Sequence, residues 1–306
     1  MMQMHTNALQ IECFKSHDLD HYLPPLKDIY KKEGIVKLST LELRPLLPPP
    51  ETIARIADDV VLNPAERSDK VYENIKVNVK SVETGSRVET RKVLTRLEKF
   101  VDTHREWTSL ASTGGILSAL VGKICGEGNA DACDFVPSDE PWCLFKEKLN
   151  IKPAGTSGFA AHYDAPSLRA TQLCQEDMVT VMIAIDRMTI DNGCLQVIRG
   201  PATEENCLPY HQPSLDLDPD TNGRPGAILP DAVVNLTWEN IECEPGDVYV
   251  FSGWLPHKSP PNMTQQQRRA VFLTYNPPSE GNLREEYYMM MKKWRSEFDG
   301  HVVRDM

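Results

Sequence analysis

The stretch Gly158-Phe159-Ala160-Ala161-His162-Tyr163-Asp164 decides how this chain is read. Alternate side chains of a strand share a face, so His162 and Asp164 can address one ion. Alone, the pair says little, because histidine and aspartate meet at this spacing by chance at polar sheet rims. Working outward, a second short run, His257-Lys258-Ser259-Pro260-Pro261-Asn262, leads into Arg268–Tyr275. His257 offers a third ligand from a distant strand. Two histidines and one carboxylate on one side of a metal leave its remaining positions open.

That ligand set is the one used by non-haem iron(II) oxygenases, whose open positions take a co-substrate and O₂. Arg268 stands eleven residues past His257. Its planar fork binds carboxylates through two hydrogen bonds and stays charged when buried, which suits the far carboxylate of 2-oxoglutarate. Arg268 and Arg269 point to opposite faces of one strand, so only one of them can enter the site.

Around these motifs the chain has two kinds of patterning. After residue 130, apolar runs at 142–152, 178–186, 194–198, 232–236, 247–251 and 269–275 are separated by turn clusters such as IDNG and EPGD. Such runs predict an antiparallel β sandwich or barrel. Before residue 130, helical spacing predominates. A short helix from Leu26 ends near Gly34 and is followed by a strand, and Glu51–Leu62 reads as a helix. Val93, Leu94, Leu97, Phe100 and Val101 recur at helical spacing, so 90–111 is expected to be an amphipathic helix, with Ile116–Cys125 a second one. The expected class is α+β, in one domain over 1–306. Residues 1–130 give mainly helical support, with a loose arm at the start, 131–278 the β core, and 279–306 a covering helix.

The chain has 306 residues, of which 41% are hydrophobic and 25% charged, enough for a sizeable core. A net charge of −11 argues against nucleic acid or an anionic membrane as partner, since both need clustered cations. No apolar run approaches the ~20 residues that cross a bilayer, and the first residues lack a secretory signal. The eight cysteines have neither zinc nor disulfide spacing, and a reducing, cytoplasmic location is expected. Asn235-Leu-Thr237 and Asn262-Met-Thr264 match the glycosylation sequon, read here as chance. No phosphate loop, nucleophile elbow or HExxH helix points to other chemistry.

Five stretches resemble, in order, the phytanoyl-CoA dioxygenase family of iron/2-oxoglutarate oxygenases. They are Phe145–Gly155, Gly158–Asp164, Ile190–Val197, Glu244–Phe251 and His257–Arg268, with Tyr30–Leu38 similar to the family's opening segment. The resemblance implies a double-stranded β-helix (a jelly roll, cupin-like) with iron held by His162, Asp164 and His257. It implies oxidation, above all hydroxylation, of a C–H bond while 2-oxoglutarate and O₂ become succinate and CO₂. It assigns 2-oxoglutarate to Arg268 and Ser259, with Lys146, Asn150, Phe159 and Thr180 as walls. Lys146, Lys148, Asn150 and Lys152 share one strand face by parity, an odd row to bury without an anion; an exposed lysine face is the alternative for Lys148 and Lys152.

Tyr163, Arg169 and Trp254 are expected at the mouth of the site, on the substrate side, with a surface charge just past the metal strand as the favoured reading of Arg169. Where relatives read a Pro-Gly-Ser-His turn, this chain has Arg199-Gly-Pro-Ala202, also expected at the substrate side. The acidic balance disfavours a CoA carrier, so a small polar or natural-product substrate is expected. Desaturation, cyclisation and a catalytically silent cupin-like module are the competing readings. Asp164 disfavours halogenation, because halogenases of this type vacate the carboxylate position. The oligomeric state is left open.

Overall fold

The computed structural model describes residues 23–38, 46–64, 69–81, 85–126, 141–211 and 225–298. The expected N-terminal arm lies outside these residues, as does most of the turn-rich stretch 218–226. The first helix, α1 (Leu23–Glu33), stops at Gly34, whose φ of +69° ends it and whose N–H donates to the Tyr30 carbonyl at 2.8 Å. A side chain there is excluded, since a Cβ would lie 2.5 Å from that of Ala202. The chain then extends as β1 (Ile35–Leu38), with Ile35, Val36 and Leu38 buried.

Helix α2 (Pro50–Leu62) begins with Pro50, suited to a first turn whose N–H groups lack partners, and buries Ile53, Ile56, Ala57 and Val60. Next comes a hairpin of β2 (Asp69–Ser81) and β3 (Gly85–Glu98). This corrects the helix expected over 90–111: after the strand only a 3-10 turn at Val101–Thr103 and α3 (Arg105–Ala111) are helical there, followed by α4 (Ile116–Cys125). The apolar spacing of 93–101 fits either period. Pairing of β3 with β4 (Cys143–Lys152), which sets Leu97 opposite Leu149, settles it as strand. The stretch Arg105–Cys125 has the length and apolar character of a membrane span. It is nonetheless broken at Gly114-Gly115, and Trp107, Leu110, Leu117, Leu120 and Val121 pack in the core.

The remaining strands are β5 (Phe159–His162), β6 (Val179–Ala184), β7 (Leu195–Val197), β8 (Glu239–Ile241), β9 (Val248–Ser252), β10 (His257–Ser259) and β11 (Arg268–Asn276). Two short helices, α5 (Asp164–Arg169) and α6 (Pro230–Val233), and the long α7 (Arg284–Phe298) complete the described elements. The strand expected at 232–236 is the single helical turn α6, opened by Pro230.

Seven strands form one sheet in the order β1-β9-β6-β11-β4-β3-β2, and four form a second, β5-β10-β7-β8. The architecture is the α+β double-stranded β-helix. One face of the large sheet, carrying Leu149, Val181, Ile183, Val271 and Leu273, packs with α2, α3 and α4 in the main core. The other face carries Met182, Ala184, Ala270, Tyr249 and Phe251 into a second cluster with Leu195, Val197 and Ile241 of the small sheet. Helix α7 seats Tyr287 and Tyr288 against Phe145, and Met290 and Met291 join them while Met289 is exposed.

Candidate metal centre

His162 ends β5 and His257 begins β10, and the two are direct antiparallel partners in the small sheet. Their rings lie 4.1 Å apart between centroids, inclined at 54°. Asp164 follows His162 by two residues and opens α5, anchored by N–H donation from Asp164 and Ala165 to the Gly253 carbonyl. The ligand atoms of His162, Asp164 and His257 all fall within 4.8 Å of one another, and Nε2 of His257 is 4.0 Å from Oδ2 of Asp164.

Both imidazoles are oriented by the same local device. Nδ1 of His162 is 2.8 Å from the Ala160 carbonyl, and Nδ1 of His257 is 2.9 Å from that of Leu255. A carbonyl accepts only from N–H, so each ring carries its proton on Nδ1 and presents a bare Nε2 lone pair to the centre. Burial, reinforced by His257, pushes His162 down to about 4, which keeps it neutral near pH 7. Burial alone would raise the Asp164 carboxyl, but His257, Lys146, His162 and Lys148 outweigh it and hold Asp164 well below the usual carboxylate range. Two neutral imidazole nitrogens and one carboxylate, converging from one side, fit a divalent iron centre.

From this centre a cavity runs along one face of β4 and β11. Lys146, Lys148, Asn150 and Lys152 of β4 line it, beside Arg268, Phe272 and Thr274 of β11 and Thr180 of β6. Register explains the grouping. Arg268 stands opposite Lys152, Ala270 opposite Asn150, Phe272 opposite Lys148 and Thr274 opposite Lys146, so period-two alternation delivers one polar row from each strand. Phe159 and Ser259 line the cavity from the small sheet.

One end of the cavity is a buried cationic nest. Arg268 and Lys152 are 5% and 4% exposed, yet neither faces a carboxylate. Nη2 of Arg268 donates to the Gly193 carbonyl at 2.6 Å and lies 3.3 Å from Ser259 Oγ. Lys152 donates to Ser259 Oγ at 2.7 Å and to the Pro260 carbonyl. Arg268 Nε is buried without a hydrogen-bond partner. Burial pushes Lys152, aided by the Arg268 charge, down to about 7, and Arg268 down to about 10. Two buried cations with an unused N–H are stabilised only when an anion arrives.

The other expected positions divide. Lys146, Asn150, Phe159 and Thr180 line the cavity, and Thr180 Oγ1 is 3.3 Å from Thr274 Oγ1. Tyr163, Arg169 and Trp254, expected at the substrate side, do not line it. Tyr163 and Arg169 flank α5 and Trp254 follows β9, and the three pack against one another. The Tyr163 hydroxyl accepts from the Leu208 N–H at 2.8 Å, Trp254 Nε1 donates to Asp177 at 2.7 Å, and Arg169 bridges Asp177 and Glu204 over the Trp254 ring. The Arg199–Ala202 turn is also elsewhere, docked on Gly34 with Arg199 paired to Glu239. Sequence reasoning missed Arg96, which lines the cavity from β3, because that segment was read as helix. The parity row had marked Lys148 and Lys152 without deciding between cavity and solvent.

Comparison with known proteins agrees with this geometry. Residues 39–270 match the family model for phytanoyl-CoA dioxygenase (PhyH). The chain is 41% identical over 170 residues to methylphosphonate hydroxylase of Gimesia maris, covering 56% of this chain and 59% of that protein. It is 32% identical over 208 residues to 2-aminoethylphosphonate dioxygenase of uncultured bacterium HF130_AEPn_1, covering 68% and 66% respectively. The matches thus span about three fifths to two thirds of these relatives' lengths. Among solved structures, EctD from S. alaskensis with 2-oxoglutarate and 5-hydroxyectoine shares the fold, with a TM-score of 0.57, 16% identity, and coverage of 88% of this chain and 80% of that one. With the family model spanning most of the chain and the fold and triad in agreement, this protein belongs to the phytanoyl-CoA dioxygenase family.

Proposed function

We propose that this protein is an iron(II)- and 2-oxoglutarate-dependent hydroxylase acting on a C–H bond of a small anionic substrate of the phosphonate class. The observation that carries the reading is one cavity that joins the His162–Asp164–His257 cluster to a buried, anion-free cationic nest. The two relatives named for phosphonates support the substrate class.

His162 Nε2, His257 Nε2 and an Asp164 oxygen would hold the iron, and bound iron would supply O₂ activation coupled to loss of CO₂ from the ketoacid. Arg268, Lys152 and Ser259 would grip the far carboxylate of 2-oxoglutarate, with Asn150, Phe159 and Thr180 along its flank. The balance is one oxygen atom inserted into the substrate C–H bond and the other into succinate, with CO₂ released. The protein's share is positioning: it fixes the ketoacid at both ends and keeps the imidazoles neutral.

The test is succinate formation by purified protein with iron(II), ascorbate and 2-oxoglutarate, across a set of small phosphonates and matched carboxylates. Succinate rising with phosphonate addition, matched by hydroxylated product, is the expected result. Equal background turnover with every compound would overturn the substrate class. No turnover and no 2-oxoglutarate binding would overturn the reaction class.

A further inference from the structure

The nest at Arg268 and Lys152 accounts for only part of the cavity's positive charge. Further along, three more cations converge: Lys146 and Lys148 on β4, and Arg96 on β3. Register places Arg96 opposite Asn150 and Glu98 opposite Lys148, so β3 and β4 contribute to a common face. The ammonium groups of Lys146 and Lys148 are neighbours, and Lys148 is pushed down to about 7 by the Lys146 charge first and burial second. Among the described residues, neither lysine makes an ion pair with a carboxylate. Arg96 has one, to Glu98 at 2.8 Å. The Lys146 ammonium also lies 5.9 Å from the centroid of the Tyr287 ring, a cation–π contact that leaves its charge unneutralised.

The two lysines of this cluster stand further along β4 than Lys152, while Arg96 stands level with Asn150, between Lys148 and Lys152. Lys148 and Lys152 are four residues apart, roughly 13 Å at ~3.3 Å per residue. A five-carbon diacid gripped at Lys152 and chelating the metal ends at the metal. Lys146 and Lys148 lie further along the same face of β4, in the cavity that His162, Asp164 and His257 also line. The charge ledger agrees. Five basic side chains, Arg96, Lys146, Lys148, Lys152 and Arg268, line the cavity against a single lining carboxylate, Asp164.

We propose that Arg96, Lys146 and Lys148 form a second anion subsite that binds the phosphonate head of the substrate and turns its α-carbon toward the metal. The inference rests on the phosphonate-hydroxylase reading above and assigns its specificity to these three side chains. A tetrahedral head with up to two charges and three oxygens matches three cations from two strands better than a planar carboxylate does. Lys148 and Arg96 select the charge, while Lys146, nearest the Tyr287 ring, closes the subsite from the α7 side.

The experiment measures two affinities on iron(II)-loaded protein without O₂. 2-Oxoglutarate is titrated through its iron charge-transfer absorbance, and methylphosphonate by calorimetry on the 2-oxoglutarate complex, with acetate as control. Lys148→Met and Lys146→Met should each weaken methylphosphonate at least tenfold while changing 2-oxoglutarate less than threefold. Lys152→Met should do the reverse. Arg96→Gln also breaks the pair with Glu98 within β3, so the two lysine variants carry the test. If the lysine variants weaken 2-oxoglutarate instead, the cluster serves the co-substrate and the proposal is wrong. If wild-type protein binds 2-oxoglutarate normally but methylphosphonate no better than acetate, the subsite does not recognise phosphonates. Loss of 2-oxoglutarate binding by wild-type protein would instead overturn the reading beneath it.

Discussion

Arg268 and Arg269 are consecutive on β11 and serve opposite faces of the sheet. Arg268 Nη2 donates to the Gly193 carbonyl at 2.6 Å inside the cavity, whereas Arg269 grips Asp186 through Nε and Nη2, each at 2.9 Å, outside it. Arg269 also pairs with Asp58 of α2, which ties the sheet to the helical layer.

The pair therefore separates binding from stability. Arg268→Lys keeps the charge but loses the fork, and losing such a partner costs about 2–5 kcal/mol. At ~1.4 kcal/mol per decade, the 2-oxoglutarate dissociation constant should rise by one to several orders of magnitude. Arg269→Lys should leave that constant unchanged and lower stability by about 1 kcal/mol, or about 2–4 °C in Tm. Anaerobic titration and a thermal melt check the two halves. The opposite pattern would mean a strand register displaced by one residue.

His162→Ala, Asp164→Ala and His257→Ala should each abolish iron-dependent turnover while preserving the far-ultraviolet circular dichroism. Metal analysis after anaerobic loading should find wild-type protein with one iron per chain and each variant well below that. Full occupancy in His257→Ala would remove it from the ligand set.

Lys152 gives a pH signature whose sign is fixed. Burial, aided by the Arg268 charge, lowers it to about 7, against an ordinary value of about 10.4. Between these values the unfolded chain holds a proton that the folded chain has lost, so stability without ligand should rise with pH across that window. A carboxylate arriving at Lys152 restores its charge. At pH 8, 2-oxoglutarate binding to metal-loaded protein should therefore take up a proton, and its apparent enthalpy should differ between Hepes and Tris. Lys152→Met should abolish that difference; its persistence would shift the uptake to another group.

Glu147 is fully buried and holds Arg284 through both oxygens, the Val101 N–H at 3.1 Å and the Tyr288 hydroxyl at 3.1 Å. Glu147→Ala leaves Arg284 with Asp102 and Glu285 but removes its buried partner and the acceptor of the Val101 N–H and the Tyr288 hydroxyl, and should cost about 3 kcal/mol. Its side chain points away from the cavity, being of opposite parity to Lys146 and Lys148. The expected outcome is a large fall in Tm with iron and 2-oxoglutarate binding retained at low temperature. Loss of cofactor binding in a folded variant would show that α7 reaches into the site.

The legible part of the site was the part encoded in short-range alternation. The parity of Lys146 to Lys152 and the opposition of Arg268 and Arg269 follow from period two within single strands, whereas Asp164, expected on the strand of His162, opens α5 and meets the histidines through the turn at Tyr163. The segment 93–101 was not legible, because Val93, Leu94 and Leu97 satisfy both periods. Only the pairing of Leu97 with Leu149, remote in sequence, selects strand, and Arg96 enters the cavity as a result. Tyr163, Arg169 and Trp254 misled for a related reason. Closeness to a metal ligand along the chain says nothing once α5 turns, and Asp177 and Glu204, which hold Arg169, come from distant loops. The strands β5, β8 and β10, of three or four residues, are too short for any periodicity to register.

The two histidines ride on the small sheet, while Arg268 and Lys152 ride on the large one. A ketoacid that chelates a metal at one end and meets Arg268 at the other is a strut between the two walls of the barrel. Its carbon count is thus gauged by the spacing of the sheets, which core packing of Met182, Phe251, Leu195 and Val197 sets. Oxaloacetate, one carbon shorter, and 2-oxoadipate, one carbon longer, are therefore expected to bind more weakly than 2-oxoglutarate. Choice of co-substrate is in this sense a property of the hydrophobic core, and a cavity-forming change far from any polar group would loosen it.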